Sequence, residues 1–259
     1  MPYRHGGPGG RPEEWASADR TAPVRVRLRR NPESRWHGRA SAMATNTGEG
    51  MVSGRQARRV VSRFDRSLQR DPALVDRYGR DQAEVMRAEI LEELRGLIPQ
   101  VPYIGGRQNP LTGPLVQSAG ALALYRVMLK HGGTLEDTGE LLHRLFRGQI
   151  QRFPRMLRPW VKRYMFSGLR RRQALKEANR SQARRYPGDW VFERVDGDGS
   201  SFDQGRDYTE CGIVKFLHAQ GADELCPYLC DLDWVTAEVF GYGFRVPADQ
   251  DAGLGMRPV

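Results

Sequence analysis

The chain has 259 residues, 39% of them hydrophobic, a formal net charge of +10 and a sequence pI near 9.9. That length permits one or two domains with a substantial core. No apolar run approaches the ~20 residues that span a bilayer, the first residues lack the apolar core of a signal peptide, and three cysteines do not make a disulfide framework. These exclusions predict a protein of the reducing cytoplasm.

Residues 1–50 contain nine arginines, a Gly-Gly-Pro-Gly-Gly run and little apolar periodicity. Their composition predicts a disordered basic extension; a basic nucleic-acid arm is the functional alternative. Met43 and Met51 stand just before the chain changes character, as an internal start would. Gly54 to Gln69 reads as a basic amphipathic helix with Val60, Val61, Phe64 and Leu68 on one side. Asp71 as N-cap and Pro72 at the first helical position predict a long helix running past Leu94 and ending at Gly96 and Pro99. Val101 to Pro114 reads as a loop. Leu115 to Lys130 reads as a buried helix ended by His131, Gly132 and Gly133. Thr134 is the expected N-cap of the next helix, Leu135 to about Arg147.

From Arg144 to Arg185 there are fourteen Lys or Arg and one acid, Glu177. Trp160, Tyr164 and Phe166 are interleaved. Such a stretch fits an anionic partner, either nucleic acid or a membrane surface. It also fits a solvated helix face whose arginine stems cover apolar residues. A third reading packs it against the acidic stretch Asp207 to Asp251. The absence of a recognised nucleic-acid motif argues against that partner.

Trp190 to Val195 alternates as a strand, Asp196 to Gly199 turns, and Arg206 to Thr209 returns to pair with it. The turn lacks the glycine and glutamate of a calcium loop. Cys226 and Cys230 lie four apart in a helix-like segment, Asp223 to Phe240, and share a face. Without tighter C-x-x-C pairs they do not define a zinc site, and neither a metal nor another cofactor is expected.

Asp207-Tyr208-Thr209-Glu210-Cys211-Gly212-Ile213 carries the chemistry. A polar strand runs into an apolar-periodic helix containing Ile213, Phe216 and Leu217, with Lys215 and His218 between them. A thiol in the first helical turn feels free backbone N–H groups and the positive end of the dipole, and both favour thiolate. A buried structural cysteine is the competing reading.

Tyr208 to Ile213, Gly221 to Leu225, Pro227 to Asp233 and Gly241 to Gly243 follow one another in an order that resembles the L-2-amino-thiazoline-4-carboxylic acid hydrolase family. Ala121 to Phe146 resembles that family's upstream helical pair. The resemblance implies a hydrolase of cysteine metabolism, opening a small heterocyclic amidine to an N-carbamoyl amino acid. Chemistry of that kind needs a nucleophile, an acid or base, and a cation for the carboxylate. Cys211 is the candidate nucleophile, Glu210 or Asp207 the acid or base, and Tyr208 a hydrogen-bond donor. Lys215 or an arginine of the basic stretch would hold the carboxylate. His218, Cys230 and Asp233 complete the substrate-binding candidates.

After Arg245 the chain departs from the family's Arg-Thr-x-Thr-Leu-Ala and Cys-Asp-Phe-Arg strands. A tandem GTTCCGG in the codons of Phe244 to Pro247 would explain this. With codons of that kind, removing one copy would restore Gly-Phe-Arg-Arg-Thr-Arg-Thr-Leu-Ala, so a frame-shifted or truncated member is expected, its activity reduced or lost. Residues 51–245 are read as one α+β domain: a largely helical N-terminal half, then a small antiparallel sheet with two helices. Residues 246–259 are read as an irregular tail. The competing function is a non-catalytic protein using residues 144–185 on an anionic partner. Nothing in the sequence sets the oligomeric state.

Overall fold

The computed structural model describes residues 24–28, 54–198 and 202–245, with backbone alone at 24–28, 54–56 and 245. Helices dominate the first part of the domain. They are α1 (Gly54–Arg70), α2 (Ala73–Tyr78), α3 (Arg80–Leu97), α4 (Thr112–Lys130) and α5 (Leu135–Gln151). The helix expected from Asp71 onward is two helices. Asp71 Oδ1 accepts the Ala73 N–H at 2.9 Å, but the N-cap of α2 is Pro72, one residue later than expected. The chain then breaks at Gly79, whose φ of 77° belongs to the region glycine enters without a Cβ clash.

Helix α4 is the centre of the core. Leu115, Ala119, Leu122, Ala123 and Leu124 are fully buried, and Met86, Ile90 and Leu94 of α3 pack in the same cluster. The helix stops at His131 because Gly132 adopts φ 75° and the Gly133 N–H bonds back to the Met128 carbonyl at 2.8 Å. Thr134 then opens α5 through a capping box. Its Oγ1 accepts the Asp137 N–H, and the Asp137 carboxylate accepts the Thr134 N–H.

The basic stretch forms the end of α5, then α6 (Arg158–Met165) and α7 (Gly168–Gln182). Part of it does meet acids of the C-terminal half, with Arg147 bidentate to Glu238 and Arg184 paired with Glu210.

The strands are β1 (Val24–Leu28), β2 (Val191–Asp196), β3 (Gln204–Glu210) and β4 (Phe244–Arg245), in sheet order β2-β3-β1-β4. The expected antiparallel pair is β2 with β3. Strand β1 adds to it in parallel, from Val24 opposite Gln204 to Leu28 opposite Tyr208, and β4 pairs in parallel on its other side. Residues 24–28 lie inside the 1–50 segment whose composition predicts disorder, and at these five positions that expectation is corrected. Valine, valine and leucine alternate with two arginines there, which suits a strand. The rest of 1–50 and the expected irregular tail, 246–259, lie outside the described residues.

After β3 come α8 (Gly212–Ala219), α9 (Cys226–Cys230) and α10 (Leu232–Phe240). The fold is α+β. Among the described residues no helix is long and apolar enough to cross a membrane.

Candidate active site

A cavity of about 1170 Å³ opens between the helical half and the β3–α8 junction. Its walls include the Val101–Pro114 segment, so the expected connecting loop is also a wall. Of the candidates named above, Tyr208, Cys211, Cys230 and Asp233 line it. Asp207, Glu210, Lys215 and His218 do not.

Strand alternation explains the first division. Residues two apart share a face of a strand. Arg206 and Tyr208 therefore point to the cavity, and Asp207 points away and is buried on the opposite side. Glu210 has the parity of Arg206 but stands at the strand's end, where its carboxylate pairs with Lys215 and Arg184. Burial pulls the Glu210 carboxyl up, and Lys215 and Arg184 more than reverse this, holding it below its ordinary value. Lys215 is buried. Its ammonium donates to the Pro187 and Asp189 carbonyls at 2.8 Å each as well as to Glu210. That geometry locks the loop before β2 onto α8 and leaves no ammonium for a substrate. His218 is turned outward to Asp223 at 3.0 Å.

Cys211 is the N-cap of α8, just before the first turn in which it is expected, with φ −114° and ψ 123°. Gly212 permits a close approach here. A Cβ on it would lie 2.7 Å from the Gly188 carbonyl oxygen and 2.7 Å from the Trp190 ring. With the ring so placed, the Trp190 side chain and the backbone N–H groups of Val214 and Ile213 all reach the thiol and favour thiolate. Burial is the larger effect, and the Cys211 thiol is pushed up. This corrects the expectation of a lowered value: the helix start is present, but the surrounding desolvation outweighs it.

Helical spacing brings the rest. Cys226, Cys230 and Asp233 are four and three residues apart on α9 and α10, and all three face the cavity. Burial raises the Cys226 thiol to about 12 and the Cys230 thiol well above its ordinary value. Burial raises the Asp233 carboxyl to about 6, opposed by Arg206. Asp233 is accessible on its surface because it opens into the cavity, yet it lies deep within the protein mass. Burial therefore governs its charge. Tyr242, also on the wall, is raised to about 12 for the same reason.

Arg206 was not among the sequence candidates. Its guanidinium donates to Tyr208 Oη at 3.3 Å and to Glu177 Oε2 at 3.0 Å, and lies 5.0 Å from the centroid of the Phe192 ring. Burial works to lower its value, but Tyr208, Glu177 and Asp233 prevail and hold it above the usual one. Arg170, also on the wall, is bidentate to the same Glu177. The Arg170–Glu177–Arg206 cluster carries one net positive charge, beside cysteine and tyrosine side chains that burial keeps neutral. The signal for Arg206 was available in the sequence: it lies two residues before Tyr208 in a strand.

A buried thiol ringed by donors, a carboxyl poised between its two forms and a cation define a site suited to acid–base or nucleophilic chemistry on a small anionic molecule. The profile of the family described as L-2-amino-thiazoline-4-carboxylic acid hydrolase matches residues 117–256, more than half of the chain. The chain belongs to this family. No curated protein and no solved structure matches it.

Proposed function

We propose that the cavity hydrolyses a small heterocyclic amidine carrying a carboxylate, such as 2-amino-thiazoline-4-carboxylate, to an N-carbamoyl amino acid. The observation that carries this reading is the convergence of Cys211, Asp233 and Arg206 on one cavity within the family-matched segment.

Arg206, with Arg170 behind it, binds the substrate carboxylate, and a guanidinium is well shaped for that task. The Asp233 carboxylate accepts the Cys211 proton. Sγ attacks the amidine carbon, and the bond from that carbon to the ring sulfur breaks. The departing sulfur takes the proton from Asp233. The intermediate is an isothiourea joined to Cys211, with the opened substrate still attached through nitrogen. Water then adds to the same carbon and gives a proton to Asp233. The bond to Cys211 breaks, the thiol recovers its proton and the carbamoyl group is complete. The sum is substrate plus one water. Tyr208 and Tyr242, kept neutral by burial, donate hydrogen bonds to the amidine nitrogens as charge moves onto them.

The test is turnover of L-2-amino-thiazoline-4-carboxylate by the full chain, following the carbamoyl product by chromatography. Cys211→Ser is expected to lose at least about a hundredfold in kcat, or about 2.7 kcal/mol. Near-normal turnover by that variant would rule out covalent catalysis by this thiol. No turnover of this compound or of related cyclic amidines, either by the unaltered chain or by one ending in the restored Arg-Thr-Arg-Thr-Leu-Ala segment, would sink the reading.

A further inference from the structure

Trp160 is 70% exposed, Met156 87% and Leu169 60%. Single exposed apolar side chains are ordinary, but here several lie together on one face, as at an interaction site. Met156, Leu157, Trp160 and Tyr164 fall within about 100° of one helical face over the turn before α6 and α6 itself. The Tyr164 hydroxyl bonds Gln173 Oε1 at 2.5 Å, joining this face to the exposed side of α7, where Leu169 lies. The inner sides of the two helices are already used, with Met165, Arg170 and Ala174 on the cavity wall.

The charge around this face has one sign. Residues 152–172 contain eight Lys or Arg and no acid. Arg152, Arg155, Arg163, Arg171 and Arg172 are exposed and make no ion pair among the described residues.

We propose that the outer face of α6 and α7 docks on an anionic lipid surface, with Trp160 and Met156 entering the headgroup region and the flanking arginines meeting lipid phosphates. An amphipathic helix with an aromatic and aliphatic ridge between cations has this chemistry. Nucleic acid fits less well. It would use the arginines and stack on Trp160, but it offers nothing to Met156, Leu157 and Leu169. The chain's own first 50 residues carry nine arginines and share the sign of this face. A second copy brings the same cations against one another.

The experiment is co-sedimentation of the full chain with vesicles of phosphatidylcholine containing about 30% phosphatidylglycerol, against vesicles of phosphatidylcholine alone. Binding is expected to the anionic vesicles only. The paired substitution Met156→Asp with Trp160→Asp should lower partitioning by about tenfold or more. Arg163→Gln and Arg171→Gln should each lower it about fivefold. These positions are exposed, and unchanged circular dichroism checks that each variant folds. Three results overturn the proposal. One is no partitioning into anionic vesicles, or partitioning indifferent to the paired substitution. Another is tighter binding to a DNA duplex, unaltered by that substitution. The third is a dimer by light scattering that the paired substitution dissociates.

Discussion

Arg206 Nη2 donates to Glu177 Oε2 at 3.0 Å, and this bond ties β3 to α7 beneath the cavity. Glu177 is the one acid between Arg144 and Arg185, and it also holds Arg170. Removing it leaves two guanidinium groups, both largely buried, without their carboxylate. Glu177→Ala is expected to destabilise the fold by about 2 kcal/mol, less than for a fully enclosed pair because water reaches this one. For a chain of this size that lowers the thermal midpoint by roughly 4–8 °C. A melting curve within 1 °C of the unaltered protein would show that the network contributes little.

Asp233 makes two opposite predictions, for activity and for stability. Its carboxyl is raised from 3.8 to about 6 by burial. If its carboxylate accepts the Cys211 proton, kcat/KM rises with pH through about 6 and then levels. Asp233→Asn should abolish that rise and most of the rate. For folding the sign is reversed. The folded protein binds this proton more tightly than the unfolded chain does. The resulting stabilisation is fully present below 3.8 and is lost as pH rises through about 6. Asp233→Asn should therefore stabilise the protein at about pH 7.5 by about 1 kcal/mol, after allowance for the water the cavity admits. The gain should vanish near pH 3.5. Urea titrations at the two pH values decide this, and a variant less stable at both would refute the burial argument.

Lys215 separates a structural role from a catalytic one. Its ammonium is spent on two carbonyls and Glu210. Lys215→Met takes this donor from the two carbonyls and leaves Glu210 with Arg184 alone. It is expected to cost about 2–4 kcal/mol of stability while raising KM by less than threefold in whatever protein folds. Arg206→Lys should do the opposite, raising KM at least about tenfold with a smaller loss of stability, since an ammonium does not reproduce the fork. A large KM effect at Lys215 and none at Arg206 would reverse the assignment of the carboxylate clamp.

Local signals were legible and long-range ones were not. The capping box at Thr134, the stop at Gly132 and the Cys211 helix start each depend on a few neighbouring residues, and each was readable. The break at Gly79 is masked in the sequence because the apolar period continues across it from Val75 to Met86. Asp207 and Arg206 differ in parity: both lie in the expected strand, and the side chains of Arg206 and Tyr208, not that of Asp207, face the cavity. The Glu177–Arg206 bond spans 29 residues and depends on how α7 packs on β2. No local pattern encodes it. The net rise of the Cys211 thiol has the same origin, for the desolvating wall comes from elements far away in the chain.

Strand β1 yields the last prediction. Composition alone makes residues 1–50 dispensable, because so polar a segment buries little. The register of β1 argues otherwise. Val24 to Leu28 sits between β3 and β4 and bonds to both. Without it, β3 has an unpaired edge directly behind Arg206 and Tyr208, and β4 has no strand partner among the described residues. An exposed edge of this kind also invites pairing with other chains. A chain starting at Met51 is expected to melt at least about 5 °C lower and to aggregate more readily. Pro substitution at Val26 in the full chain should reproduce much of the loss, since proline removes a ladder donor and is poorly accommodated in a central strand. Turnover should fall with both changes, because the strand that aims Arg206 into the cavity loses its neighbour. If the shortened chain keeps its midpoint within about 2 °C and Val26→Pro is silent, β1 is not holding the sheet, and the first 50 residues are the dispensable extension their composition describes.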